Sequence, residues 1–507
     1  MTAISTAIGV ERRSRVSGYK IKKGFFDNNT SNLPQVIAIF AEANTANQGT
    51  LTTDKKELTS AKEAGETYGY GSPMHQIMRI LRPISGDGVG GIPTIAFPQL
   101  TDGGATDSTI EITVTGAATA NVTHKVIVQG RDTVDFQVYD FSVVTGDDVT
   151  IIAGKIKDAI NGVLGSPVTA ANVAGVMTAT TKWKGVTSAE IKVTIDTGTD
   201  TAGITYAQTA AVPGAGVVDL AASFAQFGDD WNTLVINSYN DATTFAALEA
   251  FNGKPDDENP TGRYVGDIFK PFVALFGSVE DDKDTLAAIT DAAARVEEVT
   301  NVLCPAPKSD GFSWEAAANM CAIYSRIAQD TPQLDANNKS YPDMPSPSNG
   351  VIGDMSEYNN RDFLVKKGCS TVILDKGSYK VQDFVTTYHP DGEVPLQYAY
   401  VRNLTVDWNM AFGYKALETI NVKDHVLVAD NQVTDAAKAV KAKEWKAVLF
   451  DFFDDLAVRA LIREPEFSKE SLIVQISETN PDRFETNFKY KRTGIARIES
   501  TDVEAGF

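Results

Sequence analysis

"TYGYGSPMHQIM", residues 67–78, sets two glycines, a serine and a proline ahead of an apolar helical pattern. Glycines before a helix start also make phosphate-binding loops, so this stretch decides between a nucleotide-binding fold and an ordinary turn. A Walker loop needs Lys and then Ser or Thr after its last glycine, and a dinucleotide fingerprint needs three glycines at fixed offsets. Gly69 and Gly71 match two of those three, and Met74 stands where the third belongs. Pro73 lacks a backbone N–H where a phosphate needs one. The residues spell a turn instead. Gly69 or Gly71 takes positive φ, Ser72 caps the helix, and Pro73 fills the first helical position, where its missing donor costs nothing. Met74, Ile77, Met78 and Leu81 then form an apolar stripe at helical spacing, and His75 reads as incidental to it.

Around this turn the pattern is α/β. Gln35–Phe40 is a short continuous apolar run, suited to a strand buried on both faces, and Ser60–Tyr68 is helical. Clustered Gly and Pro from Gly86 to Gly104 mark a change of texture. From about 108 to 208 the chain is rich in Thr, Val and Gly, with alternating strands at Ile110–Thr115, Lys125–Gln129 and Val134–Val138. One amphipathic helix follows Asp147 and Asp148, either of which serves as its cap. This reads as an α+β module inserted into a host. Beyond Pro213 the α/β pattern resumes. Strands are expected at Thr233–Asn237 and Phe272–Phe276, and helices at Asp241–Asn252, Asp284–Val302 and Ser313–Ala328. After a Pro-rich break at Tyr341–Pro347, strands are expected at Thr371–Leu374 and Leu396–Thr405. Helical pieces cover Asn409–Thr419 and Asp435–Ile462, and strands close the chain at Ser471–Ile476 and Phe484–Tyr490. In the last, Phe484, Thr486, Phe488 and Tyr490 share one face.

The 507 residues carry a net charge of −20, which speaks against a dedicated nucleic-acid binder. Three scattered cysteines exclude a disulfide framework and suit a reducing compartment. The N-terminus has no secretory h-region, and no apolar run is long enough to cross a membrane. Against the acidic whole, the first thirty residues reverse sign: Arg12, Arg13, Arg15, Lys20, Lys22 and Lys23 accompany Glu11. A solvated leader is one reading. The other is an arm that pairs with a neighbouring subunit, since Tyr19–Lys22 alternates apolar and basic residues as an added strand does.

Catalytic patterns are absent from the sequence. The four histidines are dispersed, Asp147-Asp148 and Asp229-Asp230 sit where caps and turns belong, and no serine occupies a nucleophile elbow. The chain therefore reads as a non-enzyme without cofactor or metal.

Order and motifs together resemble the tail sheath proteins of contractile bacteriophage tails, in their Mu-like branch. The resemblance is carried by Leu58–Ser72, by Val126–Gly130 leading to Thr145–Asp148 and Asp158–Asn161, and by Pro167–Ala170 with Val176–Ala179. Asn360–Gly368 followed by Thr386–Tyr388 is its most specific part, and Asn480–Phe484 closes it. The segment Lys438–Lys446 and the loop His389–Gln397 have no match in that pattern.

The resemblance implies an α/β and α+β multidomain protein, a two-part α/β sheath core with an inserted β-rich α+β outer domain and extended terminal arms. Residues 1–30 are then the N-terminal arm, and 31–100 with 212–345 the first part of the core. Residues 105–208 are the outer insert, 346–480 the C-terminal part of the core, and 481–507 the C-terminal strand arm. It also implies a structural subunit that stacks in hexameric rings around a tail tube and contracts to drive the tube through the host envelope. The tube, baseplate and tail terminator proteins are its expected partners, with no nucleic acid and no membrane insertion. Its place is the virion tail, after assembly in the host cytoplasm. Interface residues are expected on the arm strands, at Tyr19, Ile21 and Phe25 and at Phe484, Phe488 and Tyr490. Lys438, Lys441, Lys443 and Lys446 are candidates to face the tube or a neighbour, with a plain solvated helix face as the alternative. A surface adhesin with a carbohydrate-binding β module is the rival reading, favoured by the Thr/Val-rich strands of the insert.

Overall fold

The computed structural model describes residues 31–255 and 258–505. At its centre is a six-stranded sheet in the order Asn301–Pro305, Val273–Ser278, Leu234–Asn237, Ile37–Glu42, Thr94–Gln99, Lys56–Glu57. The first five strands run parallel and the short last one is antiparallel. Their apolar runs follow from burial on both faces. Ile37 and Ile39 enter one core cluster with Ile77, Trp314 and Met320, while Ala38 and Phe40 enter another with Phe97 and Phe227. Alternation along one strand thus feeds two layers.

The turn at residues 69–73 forms as its residues dictate. Gly69 and Gly71 have φ of 95° and 85°, and the Ser72 hydroxyl accepts the His75 N–H at 3.1 Å ahead of the helix Pro73–Leu81. A Cβ at Gly71 would lie 2.0 Å from the Ser166 carbonyl oxygen, so glycine also permits a backbone contact with the segment 105–212. His75 is not incidental. It is 2% exposed, and its Nδ1 accepts the Gly71 N–H at 3.1 Å. Burial pushes its pKa down to about 3, so the neutral ring pins the turn.

Between residues 107 and 212 lie a four-stranded antiparallel sheet and a three-stranded one, with the helix Val149–Gly162 packed on them. Asp148 caps that helix through the Ile151 N–H at 2.8 Å, and Asp147 pairs with Lys155. The chain enters and leaves this segment side by side, with the Thr106 N–H on the Ala215 carbonyl at 2.9 Å. Its seam with the central sheet is built of aromatic and ionic contacts. Trp183 packs on Phe312 and Trp314, and Arg131 meets the buried Glu315 at 2.9 Å.

Four expected elements differ. The strand expected at Val134–Val138 is a tight hairpin, Thr133–Val134 against Gln137–Val138, because Asp135 and Phe136 take positive φ of 49° and 66° and reverse the chain. The helix expected over Asp284–Val302 stops early, as Lys283–Thr290, and Asn301–Pro305 is the parallel edge strand of the sheet. The Ala- and Glu-rich stretch 291–300 runs as turns, with Arg295 against Glu249 and the Val296 carbonyl accepting the His389 N–H, so tertiary partners override its helical propensity. The strand expected at Leu396–Thr405 is instead the start of the long helix Val401–Asn421. Val401, Leu404 and Trp408 face one core cluster and Val406 and Met410 another, and a helix buried on two sides imitates strand alternation. The helix expected from Asp435 begins only at Ala442 and ends at Val458, after the short strand Ala439–Val440. Among the described residues, no helix is long and apolar enough to cross a membrane.

Candidate functional site

Tyr19, Ile21 and Phe25 lie outside the described residues. The C-terminal candidates are described. Phe484–Asn487 pairs antiparallel with Ile473–Ile476, matching Ile476 to Phe484 and Val474 to Thr486. Among the described residues the pair forms a two-stranded sheet, so each strand has one backbone edge without a strand partner there. Phe484, Phe488 and Tyr490 pack against the chain's own cluster around Trp445, Leu449 and Phe453. Ring centroids of Phe488 lie 5.1 Å from Phe453 and 5.9 Å from Tyr414. Tyr490 donates to Asp407 at 2.8 Å, and Arg492 holds both oxygens of that carboxylate at 2.6 and 2.5 Å. These side chains are half-buried against the chain's own helix Ala442–Val458, so a neighbour would meet only the parts that this helix leaves open.

The structure brings Lys441, Lys443 and Lys446 together at the start of that same helix, with Lys438 exposed just before it. Lys441 lies 3.7 Å from Glu444, Lys443 donates to the Asp430 carbonyl at 2.8 Å, and Lys446 sits 5.6 Å from the Phe450 ring. Asp451, Asp454 and Asp455 occupy the last turns. Cations at a helix N-terminus and carboxylates near its C-terminus oppose the macrodipole, at about 0.3–1 kcal/mol for each charge in the end turns. This is offset here in part by Glu444, which accepts the Lys441 N–H at 3.2 Å, and by Arg459 on Asp455.

Among the described residues there is no group of three His, Cys, Asp or Glu side chains able to hold a metal. His124 is fully buried and engaged by the Tyr206 hydroxyl at 2.8 Å and the Asp200 carbonyl at 2.9 Å. Asp230 pairs with Lys55, and His389 bridges Asp291 and the Thr387 carbonyl.

Sequence reasoning missed the polar seam under the 107–212 segment. Glu190 accepts both the Ser313 N–H and hydroxyl at 2.6 Å, and Arg131 spans Glu315 and Asp343. Glu42, at the end of a central strand, is fully buried and accepts the Thr187 hydroxyl at 2.8 Å. The Tyr239 hydroxyl also acts on this carboxyl, and burial pushes its pKa up to about 7. An acid ending an otherwise apolar strand was the one available signal.

With this geometry in place, comparisons with known proteins give the following. No family model matches the chain. Among curated proteins it is similar to the Mu-like prophage FluMu tail sheath protein of Haemophilus influenzae, 23% identical over 385 residues, which span 74% of each chain. Among solved structures, a sheath tail protein from Desulfitobacterium hafniense superposes with a TM-score of 0.45 at 10% identity, over 94% of this chain and 100% of that one. The sheath of an extracellular contractile injection system in its contracted state gives 0.46 at 9% identity, over 98% of both. The resemblance carried by the sequence motifs is thus met in a curated protein over most of both chains, and this chain is similar to the Mu-like tail sheath proteins.

Proposed function

We propose that the chain is a structural tail sheath subunit, which polymerises as stacked hexameric rings around a tail tube and contracts to drive the tube through a cell envelope. The observation that carries the reading is the alignment with a tail sheath protein over 385 residues. Contraction draws its work from interface free energy released over many copies, so no catalytic centre is needed. Head-to-tail pairing builds an open helical polymer in place of a closed dimer.

In this reading the hairpin Ile473–Asn487 offers its free backbone edges to terminal strands of neighbouring copies, with Tyr19 and Ile21 on the incoming strand. Segment 105–208 forms the outer layer, which its adjacent entry and exit permit. The reversed charge of the helix Ala442–Val458 favours a role for Lys438, Lys441, Lys443 and Lys446 toward an acidic tube or neighbour, because it serves the helix itself badly. The tube, baseplate and terminator proteins are the proposed partners, and the virion tail is the proposed location.

Deleting residues 1–24 tests the arm. The truncated chain is expected to melt as the full chain does but to sediment as monomer where the full chain forms polymers. Normal polymers from the truncation would remove the arm from the mechanism.

A further inference from the structure

Counted along the chain, the parallel strands of the central sheet lie in the order fifth, fourth, third, first, second. The order reverses between Ile37–Glu42 and Leu234–Asn237. In open α/β sheets, ligands bind in the crevice beyond the C-terminal ends of the strands at such a reversal. Here those ends are polar and buried. Glu42 is 0% exposed, and Ser238 and Tyr239, directly after the other strand, are 3% and 1% exposed.

The crevice is filled by the chain itself. The 3₁₀ turn Val186–Glu190, from the segment 105–212, sets the Thr187 hydroxyl on a Glu42 oxygen at 2.8 Å. The Trp183 indole N–H donates to that hydroxyl at 3.0 Å. Gly185 enters the turn at a φ of 109°, and a Cβ there would lie 3.4 Å from the same Glu42 oxygen. The turn also joins both connections of the segment. The Gly185 N–H donates to the Thr106 carbonyl at 3.2 Å, and the Val186 N–H to the Gly216 carbonyl at 3.0 Å. A Cβ at Gly214 would meet the Ser188 hydroxyl oxygen at 1.9 Å, so the outgoing chain lies directly on the turn.

Glu42 therefore holds the turn that holds the root of the segment. Tyr239, with Asp241 acting on it, brings a second hydroxyl to the carboxyl, while Glu190 on the turn opposes its charge. Burial, with Glu190 adding to it, lifts the carboxyl from 4.5 to about 7. Once the turn lifts away, the carboxyl meets water and returns toward 4.5. A closed state that binds the proton more tightly than the open one weakens as pH rises through this window.

We propose that the turn Val186–Glu190 is a proton-controlled clasp, which occupies the crevice as a ligand would and opens locally when Glu42 gives up its proton to solvent. Opening loosens the root of the segment 105–212, while Arg131 on Glu315 and Arg79 on Asp135 keep the rest of it seated. The clasp does not depend on the sheath reading.

The test is amide hydrogen exchange of the unaltered full chain at pH 6 and pH 8, corrected for the intrinsic rate at each pH. The Val186, Ser188 and Ile191 amides are all hydrogen-bonded here. They should be less protected than amides of the central strand Val273–Ser278, and should lose about ten-fold in protection between the two pH values. In Glu42→Gln, which keeps an acceptor for Thr187, that loss should vanish. Lys182, beside Trp183, titrates at about 8 because of burial, so Lys182→Met is the control and should keep the loss. Protection in the turn equal to that of the central strand would mean that it opens only with the whole fold, and would overturn the proposal. So would protection unchanged between pH 6 and pH 8. Both of these outcomes are read without a variant, so the test stands if Glu42→Gln fails to fold. A ten-fold loss persisting in Glu42→Gln, or vanishing in Lys182→Met, would equally overturn it.

Discussion

Glu42 shows how one residue sets a pH dependence. Its carboxyl titrates near 4.5 when free and at about 7 in the fold, because burial outweighs the bond from Thr187. A raised folded pKa means the native state holds the proton more tightly, so this contribution is complete below 4.5 and is lost as pH rises through about 7. Glu42→Gln, which keeps the shape without the charge, should therefore stabilise the chain at pH 8 by about 2–3 kcal/mol in urea unfolding. The gain should shrink toward zero near pH 4.5, and a gain independent of pH would contradict the assignment. Gly71→Ala should cost more than about 2 kcal/mol, since a positive φ and a backbone clash act together. The loss would appear as a lowered urea midpoint at unchanged slope. The sequence made Ser72 and Pro73 readable because capping is local chemistry. The burial of His75 and Glu42 was not readable, because the groups that cover them come from residues 69–71 and from the segment 105–212.

At the scale of elements, the helix Ala442–Val458 carries cations at its start and carboxylates near its end. Lys443→Glu with Lys446→Glu removes the opposition to the macrodipole, so the monomer should gain about 0.5–1 kcal/mol in thermal unfolding. If the segment faces a tube or a neighbour, the same double variant should lose assembly in sedimentation. Assembly equal to the unaltered chain would return these lysines to a solvated face. Elements with a plain local pattern were legible: the Asp241-capped helix Ala242–Asn252 and the continuously apolar strand Leu234–Asn237 fall where their patterns put them. The helix Val401–Asn421 was misread because two clusters claim opposite sides of it, and the strand Asn301–Pro305 because only its place in the sheet makes it a strand.

At the scale of the molecule, the segment 105–212 and the central sheet share a buried seam of ionic and aromatic contacts. Arg131 is one cation of the seam, beside Arg79 and Lys192, and Glu315 beneath it is 1% exposed. Arg131→Met strands that carboxylate and should cost about 3–5 kcal/mol, while adding Glu315→Gln should recover much of the loss. Additive costs in that double-mutant cycle would argue against the pairing. The general plan, a parallel α/β core interrupted by an α+β segment, was visible in the change from continuous apolar runs to alternation. The seam was not, since its partners lie more than a hundred residues apart in sequence. The central claim is that this chain builds a contractile sheath. Negative-stain electron microscopy of the purified full-length protein tests it most directly: long hollow cylinders of stacked rings are expected, and discrete particles at every concentration and salt condition would contradict it.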